Sequence, residues 1–172
     1  MLRVAGTLLI LSGCMGLGFY YKNRLFESIR HLRIMQNILE YFISEIRYGK
    51  ATLHACLPLT AGRVEEPYKT ALLAVEDALK EEDGRGFPGC WRQVMGELLS
   101  GLPVSKEERD MFLRPGECCG QWDGQMQIRM LEQYRDMLAD AIRVREKNMT
   151  QQGKLTVSLG IMGGLLISVI LL

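Results

Sequence analysis

Apolar residues are arranged in two different ways along this chain. From Val4 to Tyr21, and again from Leu155 to Leu172, they run on with no charged residue, each run being 18 residues long. Between these ends they recur at three- and four-residue steps, the period of a helix with one buried face. The first such stripe, Leu25, Ile29, Leu32, Met35, Leu39, Phe42 and Ile46, predicts a helix over Leu25–Arg47 that stops at Gly49. A short second helix is expected at about Leu53–Ala61, with Thr52 as N-cap and Gly62 as the stop. Pro67 opens a third, carrying Tyr68, Ala71, Leu72, Val75 and Leu79 and closed by Gly84-Arg85-Gly86. Pro88 begins a fourth, with Trp91, Val94, Met95, Leu98 and Leu99 up to Gly101. Ser105 and Glu108 have capping-box spacing and start a fifth, which Pro115-Gly116 is expected to interrupt. The last and longest helix runs from Asp123 to about Gln152. Its stripe is Met130, Tyr134, Met137, Ala141 and Val144, widened by Leu131, Leu138 and Ile142. No segment alternates apolar and polar residues for long enough to predict a strand, so the chain reads as all-α.

Charge turns this pattern into a layout. The chain carries 21 Lys+Arg and 20 Asp+Glu, and all of them except Arg3 lie between Lys22 and Lys154. An 18-residue helix rises about 27 Å, near the roughly 30 Å hydrocarbon layer of a bilayer. The expected organisation is a transmembrane helix in 1–21, a helical bundle of about six helices in 22–154, and a second transmembrane helix in 155–172. Lys22, Arg24, Arg30 and Arg33 follow the first apolar run, and Arg143, Arg145, Lys147 and Lys154 precede the second. Basic residues beside membrane segments stay on the cytoplasmic side, which places the middle of the chain in the cytoplasm.

Leu11-Ser12-Gly13-Cys14 admits a different reading. It matches a lipobox, after which the chain would be an exported lipoprotein binding module anchored through Cys14. A retained helix is preferred, because the apolar run continues past Cys14 to Tyr21 and the basic cluster follows it. Ser12 with Gly16, and Gly160 with Gly164, put small residues on one face of each apolar helix, where two backbones can approach closely within a chain or between chains. A homo-oligomer is thus left open.

Candidate chemistry is sparse. The near-neutral balance, +1 overall, argues against a nucleic-acid partner. His31 lies inside the first long helix and reads as a rim residue. His54, Cys56, Cys118 and Cys119 fit no zinc-ligand spacing and read as structural. There is no Gly-Lys-Ser/Thr phosphate loop, no H-E-x-x-H and no G-x-S-x-G. Acidic pairs such as Glu65-Glu66 read as solvated helix ends. No catalytic, metal or cofactor site is expected.

Four features together resemble stage III sporulation protein AB, a family of small membrane proteins of endospore-forming bacteria. They are the span layout, Leu39-Glu40 with Glu45-Ile46-Arg47-Tyr48-Gly49, then Gly120-Gln121-Trp122-Asp123 with Gln127, and the close from Ser158-Leu159-Gly160 to Gly163-Gly164. Cys119 stands where the family usually has Leu, and Ala51-Thr52-Leu53 replaces a more usual Thr-Pro-Leu. The resemblance implies a non-enzymatic platform in the mother-cell membrane around the forespore, within a secretion-like complex. Its soluble part would be similar to the type II secretion F domain. Its partners would be the lipid bilayer, other membrane components of the sporulation assembly and a cytoplasmic ATPase like stage III sporulation protein AA. Of the quoted residues, Glu45, Tyr48 and Gly49 lie within a turn. Gly49 is expected in the left-handed C′ position with Tyr48 packed back on the helix end, and Asp123 is expected to cap the last helix on the same face as Gln127.

Overall fold

In the computed structural model of the chain, backbone is described for 2–49, 53–81, 84–118 and 124–171, and side chains within 23–49, 54–81, 84–117 and 124–149. The order is α1 (Leu2–Gly49), α2 (Leu53–Ala61), α3 (Tyr68–Lys80), α4 (Gly86–Ser100), α5 (Lys106–Cys118) and α6 (Gly124–Leu171), with no strand among the described residues. Two of these are longer than the apolar stripes alone suggested. α1 joins the apolar start and the amphipathic stripe in one 48-residue helix, and α6 does the same at the other end. The chain divides into two units, 27–142, and 1–26 with 143–172. Among the described residues no helix is long and apolar enough to cross a membrane. The side chains of the expected spans, with Ser12, Cys14, Gly16, Gly160 and Gly164, lie outside the described residues.

Within 27–142, helices adjacent in sequence pack on one another: α2 on α3, α3 on α4 and α4 on α5. α1 contributes Ile29, Leu32, Met35, Leu39 and Phe42, which are buried, while Leu25 and Ile46 at the two ends of the expected stripe are only half-buried; Ile34, Ile38 and Ile43 widen the buried face. Trp91 of α4 is the central side chain. Its ring centroid lies 5.9 Å from Phe42 of α1, 5.7 Å from Phe87 of its own helix and 5.3 Å from Phe112 of α5. Offset and tilted aromatic pairs at these separations add to the burial of the rings themselves. The indole Nε1 is buried without a hydrogen-bond partner among the described residues.

Local chemistry explains the helix ends. The capping box of α5 forms as spaced: the Ser105 amide donates to Glu108 Oε2 at 2.7 Å, and the Glu108 amide donates to Ser105 Oγ at 3.3 Å. The reciprocal bonds satisfy two amides at the helix start and account for Glu108 being buried. At the start of α3, Glu66 Oε2 accepts from the Thr70 amide at 3.2 Å and from its hydroxyl at 2.7 Å. This carboxylate holds a helix N-terminus instead of being merely solvated, and its charge suits that end of the dipole. The turn from α3 to α4 needs glycine: Gly84 and Gly86 have φ of 78° and 63°, where a Cβ would be strained.

The expected break in α5 is absent. Pro115 and Gly116 sit inside a helix that continues to Cys118, and both are buried. Proline removes one backbone donor, yet α4 closes over this turn. A Cβ on Gly116 would overlap Trp91 Cδ1 and Nε1, so glycine is what allows the indole to lie directly on the α5 backbone. Tertiary packing here outweighs the local helix-breaking preference.

The second departure is in α6. Leu131, Leu138 and Ile142 are the buried residues, at 1%, 0% and 7% exposure. Met137 and Val144, taken from the sequence as the stripe itself, are 38% and 58% exposed. The core face is therefore one residue further round the helix.

His31 reports on the α1–α3 contact. Its ring is 5.8 Å from that of Tyr68, and the Tyr68 hydroxyl lies 3.4 Å from Nδ1. Partial burial, and then the neighbouring Arg30 cation, push the His31 pKa below its ordinary 6.5, against opposing attraction from Glu27 and Glu65. The unfolded chain thus binds a proton more readily at this site than the folded chain. Stability is expected to fall as pH drops through 6.5 and to level off once folded His31 is itself protonated. Replacing His31 with Gln should flatten that part of a stability–pH profile followed by helical ellipticity. An unchanged slope would assign it to another group.

Candidate functional site

Among the described residues no cluster of His, Cys, Asp and Glu could hold a metal ion. His54 is exposed and lies edge-on to Phe87 at 6.0 Å, while Cys56, two residues on, is fully buried. Side chains two apart on a helix point to different faces, so the pair shares no ligand site. The best-built polar group lies instead at the end of α1, where three of the sequence-selected residues fall.

Glu45 is the anchored member. Its carboxylate pairs with Arg63, just beyond α2, at 3.1 Å, and its side chain is mostly covered. The Arg63 guanidinium also sits over the Tyr41 ring, 5.5 Å from the centroid. Tyr41 and Glu45 are four apart and so share a face of α1, which lets one arginine engage both. Cys56 of α2 belongs to the same neighbourhood. Burial, and then the Glu45 charge, raise its thiol to about 11. A group held so far toward the thiol is a poor nucleophile. In the native protein at pH 8, Cys56 is expected to resist maleimide and to react fully once the chain is unfolded, as read by peptide mass spectrometry. Rapid native labelling would contradict the burial of Cys56.

Tyr48 behaves differently. It was expected to fold back on the helix end, but it is 79% exposed. Gly49 is the last residue of α1, within the helix and not a left-handed residue beyond it. With the helix carried through Gly49, the Tyr48 ring projects from the last turn instead of curling over it. Beside it Arg47 pairs with Glu132 of α6, and further back Glu40 lies 3.9 Å from Arg135. These are solvent-facing pairs between α1 and α6, which set register more than they add stability.

Of the remaining motif positions, Gln127 is half-buried in the first turn of α6, while Gly120 and Asp123 lie outside the described residues. The structure thus separates residues that one motif had grouped: Glu45 ties α1 to the α2–α3 segment, and Tyr48 is displayed. Arg63 and Tyr41, which complete the Glu45 group, carried no sequence signal, because Arg63 lies beyond α2 in sequence and meets Glu45 only in the folded chain. A second tie has the same character. Arg30 grips Glu65 through Nε and Nη2 at 3.1 and 2.5 Å, and this holds the Glu65 carboxyl below its usual range.

Comparisons with known proteins agree with this architecture. A family model described as Stage III sporulation protein AB matches residues 3–172. Stage III sporulation protein AB of Bacillus subtilis (strain 168) is 27% identical over 176 residues, with both chains covered in full. A solved structure titled Stage III sporulation protein AB superposes with a TM-score of 0.63 at 24% identity, covering 72% of this chain and 97% of that one. The structural likeness bears on the fold alone.

Proposed function

The chain belongs to the stage III sporulation protein AB family, and on that premise we propose that it is a non-enzymatic platform component of a sporulation-specific, secretion-like complex. In this reading the two apolar ends anchor it in the mother-cell membrane around the forespore. The helical bundle faces the cytoplasm and docks an ATPase like stage III sporulation protein AA, with other membrane components of the assembly alongside. The observation that carries the reading is the extent of the family match, 3–172, which takes in both uncharged ends together with the bundle.

Tyr48 offers a place for the docking to occur. A large aromatic side chain left 79% exposed at a motif position is not needed for packing. Tyrosine supplies a rigid apolar body with a polar tip, the combination favoured at the centres of protein interfaces. The test is co-purification of the full-length chain, in mild detergent, with the ATPase. Capture of the ATPase is expected, and Tyr48→Ala should weaken it at least about tenfold without changing the thermal melt. A folded chain that captures no ATPase would overturn the docking role. A mature chain beginning at a lipidated Cys14 would overturn the topology.

A further inference from the structure

The near-neutral balance of the chain hides two units of opposite charge. Residues 27–142 carry 14 Lys+Arg and 19 Asp+Glu, a net of −5, whereas 1–26 with 143–172 carry 7 and 1, a net of +6. In this second unit Arg3 lies at the outer end of the first apolar run. The other six basic residues, Lys22, Arg24, Arg143, Arg145, Lys147 and Lys154, all follow the first run or precede the second. At the rise of a helix, Lys22, Arg24, Lys147 and Lys154 fall within about 12 Å of the run ends. Glu27 is the one acidic residue as near. Arg24 and Lys147 are exposed. Tyr20-Tyr21 closes the first run, and tyrosine is a residue type that settles at headgroup level.

We propose that this unit binds the phosphate headgroups of anionic lipids, with Arg24 and Lys147 among the cations that hold them. The proposal rests on the reading of both ends as membrane anchors, and it adds the class of lipid. Topology alone requires basic residues on one side of the bilayer, and a zwitterionic headgroup would satisfy it. Four cations beside two membrane segments, opposed by one carboxylate, form the kind of cluster that draws anionic lipid. The attraction acts over about 8–10 Å at ordinary ionic strength, so it is set by the residues nearest the run ends. Net charge points the same way. An anionic surface attracts the +6 unit and repels the −5 bundle, so the attraction belongs to the ends of the chain and not to the chain as a whole. Arg143, Arg145 and Glu146 lie farther from the run and also interact within the chain, so they add to the field more than they grip a headgroup.

The test places the full-length chain in phosphatidylcholine vesicles with a trace of spin-labelled phosphatidylglycerol or spin-labelled phosphatidylcholine. Electron paramagnetic resonance reads the fraction of each label immobilised by the protein. The phosphatidylglycerol label is expected to associate about twofold or more tightly, and raised salt to reduce the difference. Arg24→Gln with Lys147→Gln should bring the two labels toward parity, and the charge-conserving pair Arg24→Lys with Lys147→Arg should keep the preference. Lys69→Gln with Lys106→Gln, which removes the same charge from exposed positions of the bundle, should leave it unchanged. Equal immobilisation of both labels would overturn the proposal and leave the anchoring standing. Immobilisation of neither would overturn the anchoring, and the proposal with it. A preference that survives Arg24→Gln with Lys147→Gln, that the charge-conserving pair loses, or that follows the bundle pair would also overturn it. So would its abolition by inorganic phosphate at constant ionic strength, which would assign the cations to a free anion.

Discussion

Trp91→Ala is expected to cost about 3–5 kcal/mol, which for a domain of this kind is a large share of a total of about 5–15 kcal/mol. The indole is fully buried and meets rings from α1, its own helix and α5, so truncation leaves a cavity that no single helix can close. Gly116→Ala should be damaging from the other side, by about 1–3 kcal/mol or more, since its methyl group would occupy the volume of Trp91 Cδ1 and Nε1. The two sites are in contact, so their effects should not add. Trp91→Phe keeps an aromatic ring, removes an unpartnered N–H and frees the space over residue 116, and it should recover part of the loss caused by Gly116→Ala. Chemical denaturation of the two single variants and the double variant measures this coupling. Strict additivity would mean that Trp91 and Gly116 are not packed as described.

Leu138→Asp is expected to abolish cooperative folding, while Met137→Asp, one residue away, should change stability by less than about 1 kcal/mol. Leu138 is fully buried on the core face of α6, so the substitution removes its packing and strands an unpaired carboxylate, together on the order of 4 kcal/mol or more. Met137 is 38% exposed, and a carboxylate there stays hydrated. Thermal melts of the two variants at low protein concentration decide which stripe faces the bundle. A large loss from Met137→Asp with tolerance at Leu138 would place the core on the Met130–Met137 side of the stripe instead of the Leu131–Leu138 side.

The helical class and the places of the short helices were legible because each rests on contacts within a few residues, and most of the buried face of α1 was legible because its apolar residues leave one evident stripe. Leu53–Ala61 came out at the expected bounds, and the Ser105–Glu108 box formed as its spacing requires. What was misjudged depends on neighbours distant in sequence. Pro115-Gly116 reads as a break until Trp91 is placed over it. Glu65-Glu66 is the exposed helix end its sequence suggests, but its partners, Arg30 and the Thr70 amide, became visible only in the fold. The candidate residues divided in the same way: spacing grouped Glu45 with Tyr48, but only the fold supplied Arg63 to hold one and left the other in solvent.

By itself, the sequence determined that the chain is helical, that two uncharged ends bracket a charged middle, and where most helices begin and stop. Those properties follow from residue spacing, capping chemistry and charge, all of which act locally along the chain. The tertiary structure decided which of two adjacent apolar stripes on α6 is the core, that α5 runs on through its proline, and which motif side chains are covered. A helix with apolar residues at both 137 and 138 satisfies the same period either way, and only the shape of the surface packed against it selects one face and leaves the other for water or a partner.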